Sequence, residues 1–276
     1  MSKTIDLMAA AGLGERTRKS RLPARLDFLQ SATGLFLALF MWLHMFFVSS
    51  ILLGKDAMYV VTRFFEGKYI FGQSYPGIVS ALVALVFTIF IAHAGLAMRK
   101  FPISYREYRT FRGHMQMMRH DDTNLWFVQV VTGFAMFFLA SVHLYIMLTH
   151  PAQIGPYESA DRVWSSLMWP LYLVLLFCVE LHGGVGLYRL AVKWGWFEGR
   201  NPRESRQKLK QFKWGLTAFF LVLGLLTLAA YIKIGIEHRH EAGQPFVPSW
   251  EQTAPRTGVE NRGEERLAMV RLEVTP

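Results

Sequence analysis

Residues 167–190 read LMWPLYLVLLFCVELHGGVGLYRL, in which one carboxylate, Glu180, and one imidazole, His182, interrupt an otherwise apolar run ahead of Arg189. At about 1.5 Å per residue, about 20 such residues cross about 30 Å of hydrocarbon as a helix. Four further blocks, 31–53, 78–98, 125–148 and 214–236, have the same character. With 52% hydrophobic and 14% aromatic residues gathered in such blocks, the 276-residue chain reads as a polytopic membrane protein. The connections are short, so the expectation is an all-α fold with five transmembrane helices in one bundle and one domain, 1–276. The helices fall at about 22–53, 77–100, 122–149, 167–194 and 203–237, with 238–276 as a C-terminal extension. The first block starts about thirty residues in and is too long for a signal-peptide core, so the N-terminal tail is expected to stay attached.

Basic residues set the expected orientation. Six Lys and Arg precede the first block, three lie between the first and second, and six between the second and third. The next two connections hold one and eight, and six lie near or beyond the end of the fifth block. High counts alternate with low ones, which predicts a cytoplasmic N-terminus and a periplasmic C-terminus. The net charge of +10 then lies mostly on the cytoplasmic face, where anionic lipid or an acidic partner subunit explains it without nucleic acid.

Against that topology, each of the first four helices carries one histidine at membrane depth: His44, His93, His143 and His182. An ionisable side chain there is costly and is a functional candidate. The first and third helices run outward and place His44 and His143 toward the outer face; the second and fourth run inward and place His93 and His182 in the inner half. Neutral imidazole is a strong axial ligand for haem iron, and the depth match predicts two pairs, His44 with His143 and His93 with His182, for two b-type haems. Small residues next to the ligands, Gly183, Gly184 and Gly186, Ala94, Gly95 and Ala97, and Ala140 with Ser141, would admit a macrocycle, although small residues also serve ordinary helix contacts. His114, His120, His150, His238 and His240 fall in loops or tails and read as solvated. The single cysteine, Cys178, reads as an apolar filler; it excludes a disulfide, a covalent c-type haem and an iron–sulfur ligand set within this chain.

Two carboxylates stand out. Glu180, two residues from His182 and so on another helix face, suits transmembrane proton transfer. Glu66 lies in the outer connection, in RFFEGKY (63–69), where an aromatic setting could hold a quinone and a carboxylate could take its proton. From pattern alone, a solvated loop glutamate is the expected reading. Gln30, Ser31, Trp126 and Lys193 at the inner helix ends, and Arg162 in the outer connection between the third and fourth helices, are candidate partners for haem propionates.

The segments KSRLPARLD (19–27), QSATGLFL (30–37), HMFFVS (44–49), IAHA (91–94), MRKFPI (98–103), TGFAMFFL (132–139), SVHLYIM (141–147), VELHG (179–183) and GLYRLAVKWGWF (186–197) resemble the dihaem cytochrome b subunit of bacterial menaquinol:fumarate reductases, in the succinate:quinone oxidoreductase family. The resemblance covers nearly the whole chain and departs in the N-terminal tail, the loop after Glu66 and the extension beyond about His238. It implies an inner-membrane subunit of an anaerobic respiratory oxidoreductase, with two haem b groups and menaquinol as substrate. It implies docking to an iron–sulfur subunit and to a flavoprotein with FAD and the dicarboxylate site, and a dimer of such heterotrimers. It places the haem ligands on His44, His93, His143 and His182, the menaquinol-side glutamate on Glu66 and the proton path on Glu180. The propionate partners fall on Gln30, Ser31, Trp126, Arg162 and Lys193.

The implied reaction oxidises menaquinol near Glu66 and passes electrons inward to fumarate, while a proton moving inward through Glu180 cancels the charge. A succinate dehydrogenase of the same architecture differs only in direction. A haem-free transporter using these residues as a proton relay is a different class, and a dihaem anchor for a hydrogenase or formate dehydrogenase shares the pattern. The extension, with its Pro, Gly and mixed charge, is expected to be ordered only where a neighbour holds it.

Overall fold

The computed structural model describes residues 20–101, 104–118 and 121–252; the N-terminal tail, His120 and residues 253–276 of the extension lie outside them. Among the described residues every regular element is helical. Helix α1 spans Leu22–Val48 and runs into a 3₁₀ turn, Ser49–Leu53, that Gly54 ends at φ +120°. Two short helices follow, α2 (Lys55–Phe65) and α3 (Lys68–Phe71), then α4 (Pro76–Met98), α5 (Tyr105–Met118) and α6 (Asp121–Thr149). Beyond a second 3₁₀ turn come α7 (Pro156–Trp164), α8 (Trp169–Trp194), α9 (Pro202–His238) and α10 (Ser249–Gln252). Helices α1 with its 3₁₀ turn, α4, α6, α8 and α9 are the five that are long and apolar enough to cross a membrane.

Proline opens α1, α4, α8 and α9 in their first turns, where a missing N–H costs nothing. At α9 the Asn201 side chain also accepts from the N–H groups of Arg203 and Glu204. Helix α8 stops at Gly195, whose φ of +66° suits glycine at a helix end. It also starts two residues later than expected, because Leu167 takes φ +54° in the turn from α7 and breaks the helical run before Pro170.

Four of the long helices form a ring in which α1 packs on α4, α4 on α6, α6 on α8 and α8 back on α1. Helix α9, which carries no histidine at membrane depth, lies outside the ring against α8, α1 and α7. Small residues let it approach. A Cβ on Gly224 would stand 2.5 Å from Leu176, and one on Gly235 would stand 2.7 Å from the Ala160 carbonyl oxygen. Polar side chains tie the same seam, with Ser49 Oγ 2.8 Å from Thr227 Oγ1 and the Tyr231 hydroxyl donating to the Val48 carbonyl at 3.4 Å.

The ends of the bundle differ. At one, Lys100 and Lys193 both pair with Asp27, and Lys193 also donates to Ser31 at 3.0 Å. At the other, α2, α3 and α7 form a cap over the membrane helices, with Ile51, Met58, Ala160, Val163 and Tyr231 as its buried core. These outer connections are therefore built structures with a core of their own.

Because the Gly235 contact is with backbone, it cannot be relieved by a rotamer change. Gly235→Val is expected to separate α9 from α7 and to destabilise the purified protein by about 1–3 kcal/mol, read as a lowered melting temperature in detergent.

Candidate functional site

The four membrane-depth histidines face one another across the ring rather than around it. His44 on α1 meets His143 on α6, with ring centroids 6.2 Å apart and planes at 52°. His93 on α4 meets His182 on α8 at 6.5 Å and 87°. An imidazole nitrogen binds a metal at about 2 Å and the ring centre lies roughly 1 Å behind it, so two rings on opposite sides of one iron stand roughly 6 Å apart. Both pairs have that spacing, and each bridges a diagonal of the ring.

Each imidazole of the pair nearer the basic end has a partner for its other nitrogen. His93 Nδ1 lies 3.1 Å from the Thr33 hydroxyl, and His182 Nδ1 lies 2.8 Å from the Gln129 carbonyl. Such a bond to Nδ1 fixes ring orientation and leaves Nε2 for a metal. In the second pair His44 stacks on Phe40 at 6.0 Å, His143 meets the Tyr172 ring at 5.5 Å, and His143 Nδ1 is buried with no hydrogen-bond partner among the described residues.

The close approaches to these rings come from glycines on the neighbouring helix. A Cβ on Gly34 of α1 would stand 2.8 Å from His93 Cε1, and one on Gly133 of α6 would stand 2.7 Å from His182 Cε1. The small residues that the sequence singles out beside the ligands are placed differently. Gly184 instead packs against Thr217 of α9, Gly183 faces Met41, and a Cβ on Gly95 would meet nothing within 4 Å. Residues next to a ligand in sequence point around the helix, so space for the ring has to come from across the interface. A signal was present: Thr33-Gly34 precedes His44, and Thr132-Gly133 precedes His143, each with ten residues from glycine to histidine. Ten residues rise about 15 Å, so α1 and α6 each offer a glycine at one level and a ligand at the next.

The polar candidates divide. Ser31 and Lys193 come together, joined by Asp27, which the sequence reading passed over. Gln30 Oε1, an acceptor, is buried without a hydrogen-bond partner among the described residues. Trp126 instead meets Phe111 of α5, with ring centroids 4.8 Å apart. Arg162 on α7 donates to the Gln153 carbonyl and lies beside Tyr172, the residue that meets His143. The donors among these, Ser31 and Lys193 at one level and Arg162 at the other, would fit an anionic group held at each level of the ring.

Both carboxylates are fully buried, at 0% exposure. Glu180 lies on the α1 and α9 side of α8, next to the Trp42 indole, which itself stacks on Phe220 at 5.3 Å. Neither Glu180 oxygen nor Trp42 Nε1 has a hydrogen-bond partner among the described residues. Glu66 caps the C-terminus of α2 and is not the solvated loop residue that its pattern suggested. One oxygen pairs with Arg63, and the other, Oε1, is without a hydrogen-bond partner among the described residues. Burial alone would lower the Arg63 pKa, but Glu66 and Tyr59 beside it outweigh that and hold it above the ordinary guanidinium value. Two apolar grooves lie along this same outer connection, one of about 390 Å³ lined by Phe47, Val61, Phe64, Phe65 and Tyr69 among others, and one of about 550 Å³ along 71–78. His238 is likewise buried rather than solvated, whereas His114, His150 and His240 are exposed as expected. Cys178 is buried and unpaired in a disulfide, as an apolar filler would be.

Two facing imidazole pairs in a ring of four membrane helices are the arrangement expected of a bis-histidine membrane cytochrome of the b class. Residues 105–230 match the family model described as the succinate dehydrogenase/fumarate reductase transmembrane subunit. The chain is 61% identical over 237 residues to the fumarate reductase cytochrome b subunit of Wolinella succinogenes, an alignment covering 86% of this chain and 93% of that one. It is 55% identical over 228 residues to the corresponding subunits of two Helicobacter pylori strains, covering 83% of this chain and 88% of theirs. The chain therefore belongs to the family of transmembrane cytochrome b subunits of fumarate reductases and succinate dehydrogenases, which decides against the haem-free transporter and the hydrogenase-type anchor.

Gly34→Val and Gly133→Val are each expected to displace an imidazole of the His93–His182 pair and leave His44–His143 in place. Haem analysis and low-temperature spectra of the purified complexes check this, the expected result being one b-type component lost and one kept.

Proposed function

We propose that this chain is the dihaem cytochrome b anchor of a fumarate reductase in the bacterial inner membrane, taking electrons from menaquinol and delivering them to iron–sulfur and flavoprotein partner subunits. The observation that carries the reading is the pair of imidazole spacings, 6.2 and 6.5 Å, on the two diagonals of one ring. Haem, when bound by these pairs, supplies one-electron transfer between the two sides of the membrane. His93 and His182 serve the group nearer the basic end, with Ser31, Lys193 and Gln30 for its propionates and Trp126 beside them; Arg162 serves the group between His44 and His143.

The basic end, with Asp27, Lys100 and Lys193, faces the cytoplasm and the partner subunits. The Glu66 end faces outward, which puts the C-terminus in the periplasm. At that end the apolar grooves suit a naphthoquinol ring, and Glu66 Oε1 takes a proton from its hydroxyl while Arg63 holds the other carboxylate oxygen. Negative charge carried inward costs about 2.3 kcal/mol per 100 mV of inside-negative potential. Glu180, buried against Trp42 between the ring and α9, carries a proton the same way and cancels that cost. The relatives, which are fumarate reductase subunits, support fumarate reduction as the direction over succinate oxidation. A dimer of heterotrimers is the assembly we assign to it.

Two assays on the intact complex separate the roles. Glu66→Gln and Glu180→Gln are each expected to lower menaquinol-driven fumarate reduction by about 10²-fold or more, while viologen-driven fumarate reduction and both haem signals persist. Normal menaquinol turnover in either variant would contradict the role given to that glutamate.

A further inference from the structure

The resemblance to known relatives leaves the chain beyond His238 without a role, yet its first fourteen residues are held closely. At the end of α9 the His238 ring stacks on Tyr157 at 3.9 Å and 14°, and its Nδ1 lies 3.1 Å from Asp161 Oδ1. The other Asp161 oxygen accepts the Gly243 N–H at 2.8 Å, where φ is +92° and glycine is favoured. The chain then crosses to α2, where the Ser249 N–H donates to Asp56 at 3.0 Å. Two carboxylates on two cap helices thus receive two backbone N–H groups of one strap, residues 239–252. Between these points Phe246 and Pro248 are buried.

The strap meets α2 on one side chain. The Tyr59 ring lies 5.9 Å from Phe246 and 6.0 Å from Trp250, and is itself 8% exposed. Over the same ring sits the Arg63 guanidinium, 4.8 Å from its centroid, and Arg63 pairs with Glu66. Asp56, Tyr59, Arg63 and Glu66 follow one another at helical spacing along one face of α2. One line of contact therefore runs from the strap through Tyr59 and Arg63 to the buried carboxylate.

We propose that Tyr59 is a positioning residue for quinol oxidation, held by the C-terminal strap and holding the Arg63–Glu66 pair in place through its ring face. The inference rests on the reading of Glu66 as the quinol proton acceptor. A guanidinium on an aromatic face is attracted by the ring quadrupole, and packing the ring fixes the cation with it. With the ring loose, Arg63 is free to draw the Glu66 carboxylate out of its buried position, and displacement by about 1 Å can cost about 10²-fold in rate.

The test uses the intact complex with a soluble menaquinol analogue, with rates normalised to haem content so that loss of folded protein does not count. Tyr59→Leu, and separately the double variant Phe246→Ala/Trp250→Ala, are expected to lower kcat about 10- to 100-fold with little change in KM. Viologen-driven fumarate reduction and both haem spectra should be unchanged. Tyr59→Phe, which keeps the ring face and loses only the hydroxyl beside Arg63, should retain more of kcat than Tyr59→Leu. If Tyr59→Leu does not assemble, the double variant decides, since it leaves Tyr59 and Arg63 untouched. Wild-type kcat in the double variant while Glu66→Gln is inactive overturns the inference alone, as does a Tyr59→Phe variant as slow as Tyr59→Leu. Wild-type kcat in Glu66→Gln overturns the reading of Glu66 and this inference with it.

Discussion

Four imidazoles placed in hydrocarbon must each find a polar or metal partner, and this requirement organises the molecule. A membrane helix gains nothing from carrying a histidine unless something inside the protein receives it. Here the receiving positions lie on the diagonals of a four-helix ring, so each pair links helices that are not neighbours. The ring order, the exclusion of α9 from it and the two glycines at the ring interface all follow from keeping His44 opposite His143 and His93 opposite His182. Polar fastening is concentrated at the ends, with Asp27 between two lysines at one and Asp56 and Asp161 under the strap at the other. The apolar middle is left to packing and to the imidazoles.

Separation of tasks follows from this geometry. Residues that point into the ring can hold redox groups, and residues two positions away on the same helix point elsewhere. His182 and Glu180 illustrate the point, since one faces His93 across the ring while the other is buried against Trp42 outside it. The buried carboxylate and the imidazole thus occupy different faces of α8. At the far end, placing Glu66 at the C-terminus of α2 buries its carboxylate beside Arg63 rather than leaving it in water.

Much of the fold was legible in the sequence because hydrocarbon imposes a length and a composition that few soluble helices share. The five helices and the depth pairing of the histidines follow from counting residues along α1, α4, α6 and α8. The cap was not legible: α2 and α7 are amphipathic and short, and their burial depends on partners far away in the chain. For that reason Glu66 and His238 read as solvated, although contacts with Arg63, Tyr157 and Asp161 enclose them. Gly34 and Gly133 were missed because a glycine in a membrane helix announces close approach without saying to what. Only the ring order shows that it is the imidazole of the adjacent helix.

The central claim is that two imidazole pairs hold two separate redox groups. It is tested most directly by a redox titration of the haem absorbance of the purified complex, in wild type, His44→Ala and His182→Ala. The account predicts two b-type transitions in the wild type and the loss of a different one in each variant. A single transition indifferent to both substitutions, or no haem absorbance at all, would contradict it.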